Sequence, residues 1–141
     1  MNLNKKYDFK RLELIWYNFA GHLDMVDKKF HKDILISLYH CDDKIMEKVT
    51  REVLFISTSQ HADAWRMSIK DIKLLEAKSL IFLSDNLHNM SQLKRIFIIL
   101  HEIGHHILKH KSLLDELSTS EFYKQEMDAD NFAKNVKKKI K

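Results

Sequence analysis

The chain has 141 residues, 45% of them hydrophobic and 31% charged, with a formal net charge of +4. That is a globular composition of a size for one domain, residues 1–141, with a core of its own. No run approaches 18 uncharged apolar residues, which excludes a membrane-spanning helix, and a lone Cys41 excludes an internal disulfide and suits a reducing, cytoplasmic setting. Much of the positive charge lies in the last eight residues, which read as a solvated, fraying helix end. No helix-turn-helix pattern accompanies it, so direct contact with nucleic acid is not expected. The amphipathic stretch after Met1 is unlike a signal peptide.

In chain order, Phe9, Leu12, Ile15, Trp16, Phe19 and Leu23 recur at helical spacing, which predicts an amphipathic helix over 8–23 that Gly21 helps to end. The polar stretch Asp24 to Lys29 can cap a second helix. Residues 30–40 fit strand and helix periods, and helix is the better fit. Asp42-Asp43 can cap a further helix over 43–52 with Ile45, Met46 and Val49 inward. Val53 to Thr58 reads as a strand, Ser59 to Asp63 as a loop, and Leu80 to Leu83 as the next strand. Between them, Ile69, Ile72 and Leu75 suggest a short helix or a turn within 64–77. Ser91 is placed to cap a long helix through residue 108, and Ser118, Thr119 or Ser120 to cap the last one. The fold class is therefore α+β, mostly helical with a small sheet.

The long helix carries His101-Glu102-Ile103-Gly104-His105, an HExxH motif. Ile96, Ile99, Leu100, Ile103, Ile107 and Leu108 make one side of it apolar. His101 and His105 are one turn apart on the same face and can share one metal ion. Glu102, rotated by about 100°, borders that site as a general base without being a ligand. Gly104 is one of two glycines in the chain and sits mid-helix, where Gly costs about 1 kcal/mol relative to Ala. Such a residue suits a helix whose backbone must be approached closely.

A third ligand can come from Gln125 to Ala133, where Ala129, Phe132, Ala133 and Val136 form an apolar helical stripe. Glu126 and Asp130 share a face; Asp128 points roughly away from both, so Glu126 and Asp128 cannot look at one ion. With Glu126 as ligand, Asp130 is one turn on, placed to accept a hydrogen bond from the free nitrogen of a ligand histidine. The alternative is a solvated acidic face near a helix N-terminus. Two histidines and a carboxylate suit zinc, and also iron, manganese or cobalt.

The HEIGH motif after Arg95-Ile-Phe-Ile-Ile-Leu100, with Glu126-x-Asp-Ala-Asp-x-Phe-Ala133 downstream and Ser79 to Ser84 before, resembles the ImmA/IrrE family of zinc metallo-endopeptidases over about residues 79–133. The resemblance implies a compact zincin-like fold with the sheet beside the active-site helix. It implies His101, His105 and Glu126 as ligands of one Zn2+ and Glu102 as the catalytic carboxylate. It also implies a protein substrate, typically a helix-turn-helix transcriptional repressor of a phage or mobile element.

The rival reading is a non-catalytic zincin-like module that regulates a repressor or antitoxin by occupancy. The remaining histidines carry less. His106 and His110, also four apart, could bind metal but lie about 100° around from the His101/His105 pair; they read as flank or surface residues, with support of the ligand histidines as the alternative. His61, His88 and Tyr123 are candidates for steadying an oxyanion, and nothing in the sequence chooses among them.

Overall fold

The computed structural model describes residues 5–18, 25–59, 63–68, 78–111 and 117–140. In chain order these form α1 (Phe9–Asn18), α2 (Lys28–His40), α3 (Asp43–Glu52), β1 (Val53–Thr58), β2 (Ala64–Ser68), β3 (Ser79–Ser84), a 3-10 turn (Asp85–Asn89), α4 (Gln92–Ile107) and α5 (Thr119–Lys137). The α+β expectation holds. No helix is long and apolar enough to cross a membrane among the described residues.

Each helix begins where a short polar side chain can satisfy a free amide. Asp27, Asp42, Ser91 and Ser118 are N-caps and accept from the amides of Lys29, Ile45, Lys94 and Glu121. Residues 30–40 are helical, as the sequence favours, because Phe30, Ile34, Leu35 and Leu38 together face the core. α1 buries Leu12 and Trp16 against it, as expected; Phe19, Gly21 and Leu23 lie outside the described residues.

The sheet has three strands in the order β1-β3-β2. β1 and β3 are parallel, with Phe55 opposite Ile81, and β2 runs antiparallel to β3, with Arg66 opposite Ile81. Residues 64–68 are thus a strand, which corrects the expected helix or turn over 64–77; residues 69–77 lie outside the described part. A buried arginine, Arg66, interrupts the apolar alternation that signals a strand, and pairing with distant β3 supplies what local pattern lacks.

α4 crosses the core with Ile96, Ile99, Leu100 and Ile103 fully buried. Its first turn is held by Arg95, whose Nε donates to Asp33 Oδ2 of α2 at 2.6 Å, while Gln92 Nε2 donates to Asp33 Oδ1 at 3.2 Å. A buried carboxylate so satisfied fixes where the helix starts. The end of the chain is less loose than the lysine run suggests, because Ile140 packs against the core.

Cys41 caps α2 and is 1% exposed. Burial pushes its thiol up to about 12. A thiolate-selective reagent is therefore expected to leave the folded protein unlabelled at pH 8 and to label it once in denaturant. Rapid native labelling, followed by mass, would show that this corner opens readily.

Candidate metal centre

α4 and α5 pack side by side and antiparallel, so that Phe97 faces Lys137 while His101 faces Asp130 and Glu126. The contact is close because Gly104 has no side chain. A Cβ there would lie 3.0 Å from Phe132 Cδ1 and 3.3 Å from both Cα and O of Ala129. The mid-helix glycine thus has the reason the sequence suggests, and its partner is the backbone of α5.

The approach brings three donors together. His101 Nε2 and His105 Nε2 are 3.0 Å apart. Glu126 Oε2 is 3.0 Å from the first and its Oε1 is 3.0 Å from the second. Asp128 is outside this group. Asp130 Oδ1 is 2.7 Å from His101 Nδ1, where a carboxylate accepts the ring N–H and leaves Nε2 with its lone pair free. His105 is held neutral: burial, then His101, His110 and Arg66, bring its pKa down to about 3. Two imidazole lone pairs and a carboxylate in such proximity suit a cation. Tetrahedral bonds of about 2.0–2.1 Å space ligand atoms by roughly 3.3–3.4 Å, so the triad fits zinc after opening by a few tenths of an ångström. Among the described residues, no fourth His, Cys, Asp or Glu joins this group.

Glu102 is buried beside the cluster at 7% exposure. Burial raises its pKa to about 7; Glu126 adds to the rise, while His101 and Arg66 oppose it. A carboxyl group that takes and gives a proton near neutrality suits acid–base work.

Three further residues support the site: His106 and His110, which the sequence favours as flank or surface, and Arg66, which it does not single out. His110 is the first. α4 ends with Lys109 in the left-handed region at φ 57°, the amide of Lys109 donating to the carbonyl of His106 and that of His110 to the carbonyl of His105. This Schellman turn folds the chain back. It sets His110 Nδ1 2.9 Å from His105 Nδ1; with His110 as the acceptor there, His105 carries its proton on Nδ1 and Nε2 is bare. His106 is the second, and it is buried, not on the surface. Its Nε2–H donates to Glu52 Oε1 at 3.0 Å, and its Nδ1 accepts from Ser79 Oγ at 2.7 Å. Burial lowers its pKa in spite of Glu52, so it is neutral. The third is Arg66, whose Nη1 donates to Ser79 Oγ at 3.2 Å and whose Nη2 donates to the carbonyl of His110. A directed chain of hydrogen bonds thus ties β2 and β3 to the end of the motif helix.

The oxyanion candidates separate. His88 stacks on Phe30 at 4.6 Å and pairs with Asp27, away from the cluster. His61 lies outside the described residues. Tyr123 is exposed on α5, three residues before Glu126.

A family model, Peptidase U49, matches residues 55–139, more than half of the chain. The chain belongs to the peptidase U49 family. The match runs from β1 to just past α5 and so contains every residue of the cluster. Membership in a U49 peptidase family makes the chain a peptidase by kind, with a protein or peptide as its substrate class. Nothing matches it among curated proteins or solved structures.

Proposed function

We propose that this U49 peptidase is a zinc-dependent endopeptidase with His101, His105 and Glu126 as metal ligands and Glu102 as its acid–base group. The observation that carries the reading is the convergence of these three side chains, with ligand atoms all within 4.8 Å of one another, next to a buried glutamate. Zinc, when bound, supplies a Lewis acid for the scissile carbonyl. Glu102 takes a proton from the attacking water as its oxygen bonds to the carbonyl carbon. It then delivers that proton to the amide nitrogen as the C–N bond breaks. Asp130 and His110 hold the two ligand rings in the tautomer that bares Nε2. β2, a sheet edge among the described residues, is packed against α4 and offers backbone groups for an extended substrate.

The likeness of the paired motifs to ImmA/IrrE endopeptidases supports a specific partner protein as substrate, a helix-turn-helix repressor of a phage or mobile element being the type. The buried Glu102 argues against a purely docking module, because a structural metal site needs no base and is usually closed by four protein ligands.

Elemental analysis of purified wild type and His101→Ala tests the centre. About one zinc per chain in the first and none in the second is expected. No metal in the wild type, and none taken up on adding zinc, sinks the proposal. Substitution of the acidic residues gives a finer test. Glu126→Ala is expected to lose most of the zinc affinity, Asp130→Asn about 10- to 100-fold, and Asp128→Ala little. Competition with a chelating dye reads the order, and a larger loss from Asp128 would reassign the ligand.

A further inference from the structure

His110 reaches His105 through the turn over residues 108–111, and burial does not hold that turn. Leu108 is 44% exposed, and Lys109 and Lys111 are exposed too. The backbone conformation is also unfavourable. Lys109 takes φ 57°, in the left-handed region where glycine is the usual residue at a helix end. Such a conformation persists where its surroundings over-determine it.

Two side chains supply that constraint. From β2, Arg66 Nη2 donates to the carbonyl of His110. The guanidinium is itself fixed, because its Nη1 donates to Ser79 Oγ of β3 at 3.2 Å, and Ser79 Oγ donates to His106 Nδ1 at 2.7 Å. From α5, Gln125 grips Lys111 with both ends of its amide. Its Oε1 accepts from the amide of Lys111 at 3.0 Å, and its Nε2 donates to the carbonyl of Lys111 at 3.4 Å. Three of the four main-chain polar groups of His110 and Lys111 are thus bonded by these two side chains. The fourth, the amide of His110, closes the turn onto the carbonyl of His105 at 3.0 Å. Neither Arg66 nor Gln125 belongs to the three-donor cluster.

We propose that Arg66 and Gln125 are positioning residues of the metal centre: they clamp the turn over 108–111, so that the His110 ring stays at the outer nitrogen of His105. The inference rests on the metal site of the reading above and extends it to residues that do not touch the metal. With either half of the clamp removed, Lys109 can leave the left-handed region and the His110 ring swings away from Nδ1 of His105. The neutral His105 ring can then carry its proton on either nitrogen. Only the Nδ1–H form offers Nε2 to a metal without first moving a proton. On α5 the clamp and the third ligand, Gln125 and Glu126, are consecutive residues.

Cleavage is not the readout, because Arg66 also acts on Glu102. Two measurements on the full chain test the clamp. The first is a long-range proton–nitrogen correlation spectrum of the nitrogen-labelled protein without added metal, which tells an N–H ring nitrogen from a bare one. His105 in the Nδ1–H form in the wild type, and a mixture with the Nε2–H form in Arg66→Met and in Gln125→Ala, is the expected result. An unchanged pattern in both variants overturns the clamp. The half-buried Gln125 keeps the test open should loss of the buried guanidinium unfold the chain. The second is transfer of zinc to a chelating dye. Each variant is expected to hold zinc about tenfold more weakly, the low end for groups outside the ligands themselves. Adding Lys109→Gly, which adopts the left-handed region without help, is expected to restore most of that affinity. Weaker zinc binding that Lys109→Gly does not restore overturns the clamp and leaves a general loss of stability in its place. A wild type that takes up no zinc, beside variants that change the His105 proton position, would overturn the zinc reading alone and keep the clamp.

Discussion

Replacing Glu102 by Gln is expected to abolish peptide cleavage while zinc stays bound. The carboxylate is buried next to the cluster and is not one of its three donors. The amide keeps its shape but can neither take nor give the proton that the reaction moves twice. General acid–base catalysis is worth about 10²- to 10⁴-fold, and both proton transfers are lost here, so the fall should lie at the top of that range. Zinc content and cleavage of a peptide library, measured on one preparation, read the two halves of the claim. Unchanged turnover would remove Glu102 from the chemistry. Loss of zinc would make it a ligand, or a support for one.

Gly104→Val should damage both fold and site. Even a single Cβ meets Ala129 Cα and O at 3.3 Å, and these atoms belong to a helix backbone that cannot step aside alone. Valine adds two methyls to that contact. α5 must then move as a body, and it carries Glu126 and Asp130 with it. Overpacking costs about 1–3 kcal/mol, and the gain in helix propensity over Gly, under 1 kcal/mol, does not offset it. A loss of about 2 kcal/mol in denaturant midpoint experiments is expected, together with a fall in zinc affinity larger than that of Asp130→Asn. Wild-type stability in this variant would mean that the two helices are not as close as 3.3 Å implies.

What the sequence displays is what repeats along one element. The apolar stripe of α4 and the i, i+4 spacing of its histidines are periodic, so the motif helix, the face that His101 and His105 share and the common face of Glu126 and Asp130 on α5 could all be read before any coordinates. The groups that steady the site could not. Arg66 sits in a strand whose own pattern argues against a strand, and its partners Ser79 and His110 are far along the chain. His106 reads as surface on a helical wheel because the wheel does not show Glu52 and Ser79 waiting beside it. His110 is five residues from His105, off the helical period, and reaches it only through a left-handed turn at a lysine, where the usual glycine signal is missing.

The strand order has a kinetic consequence. β1 and β2 are neighbours in sequence and do not pair; β3, which follows both, lies between them. No rung of the sheet can form until residues 79–84 arrive, whether from a ribosome or from the unfolded ensemble; β3 then pairs with β2 across a short stretch, Ser68 to Ser79, and with β1 across a longer one, Val53 to Ser79. Ser79 is also the residue that holds His106. Closing the sheet and fixing the end of the motif helix are therefore one event, and α4 has its final partners only when the middle strand is in place. Metal uptake during refolding should then keep time with the slow, sheet-forming phase rather than with early helix formation.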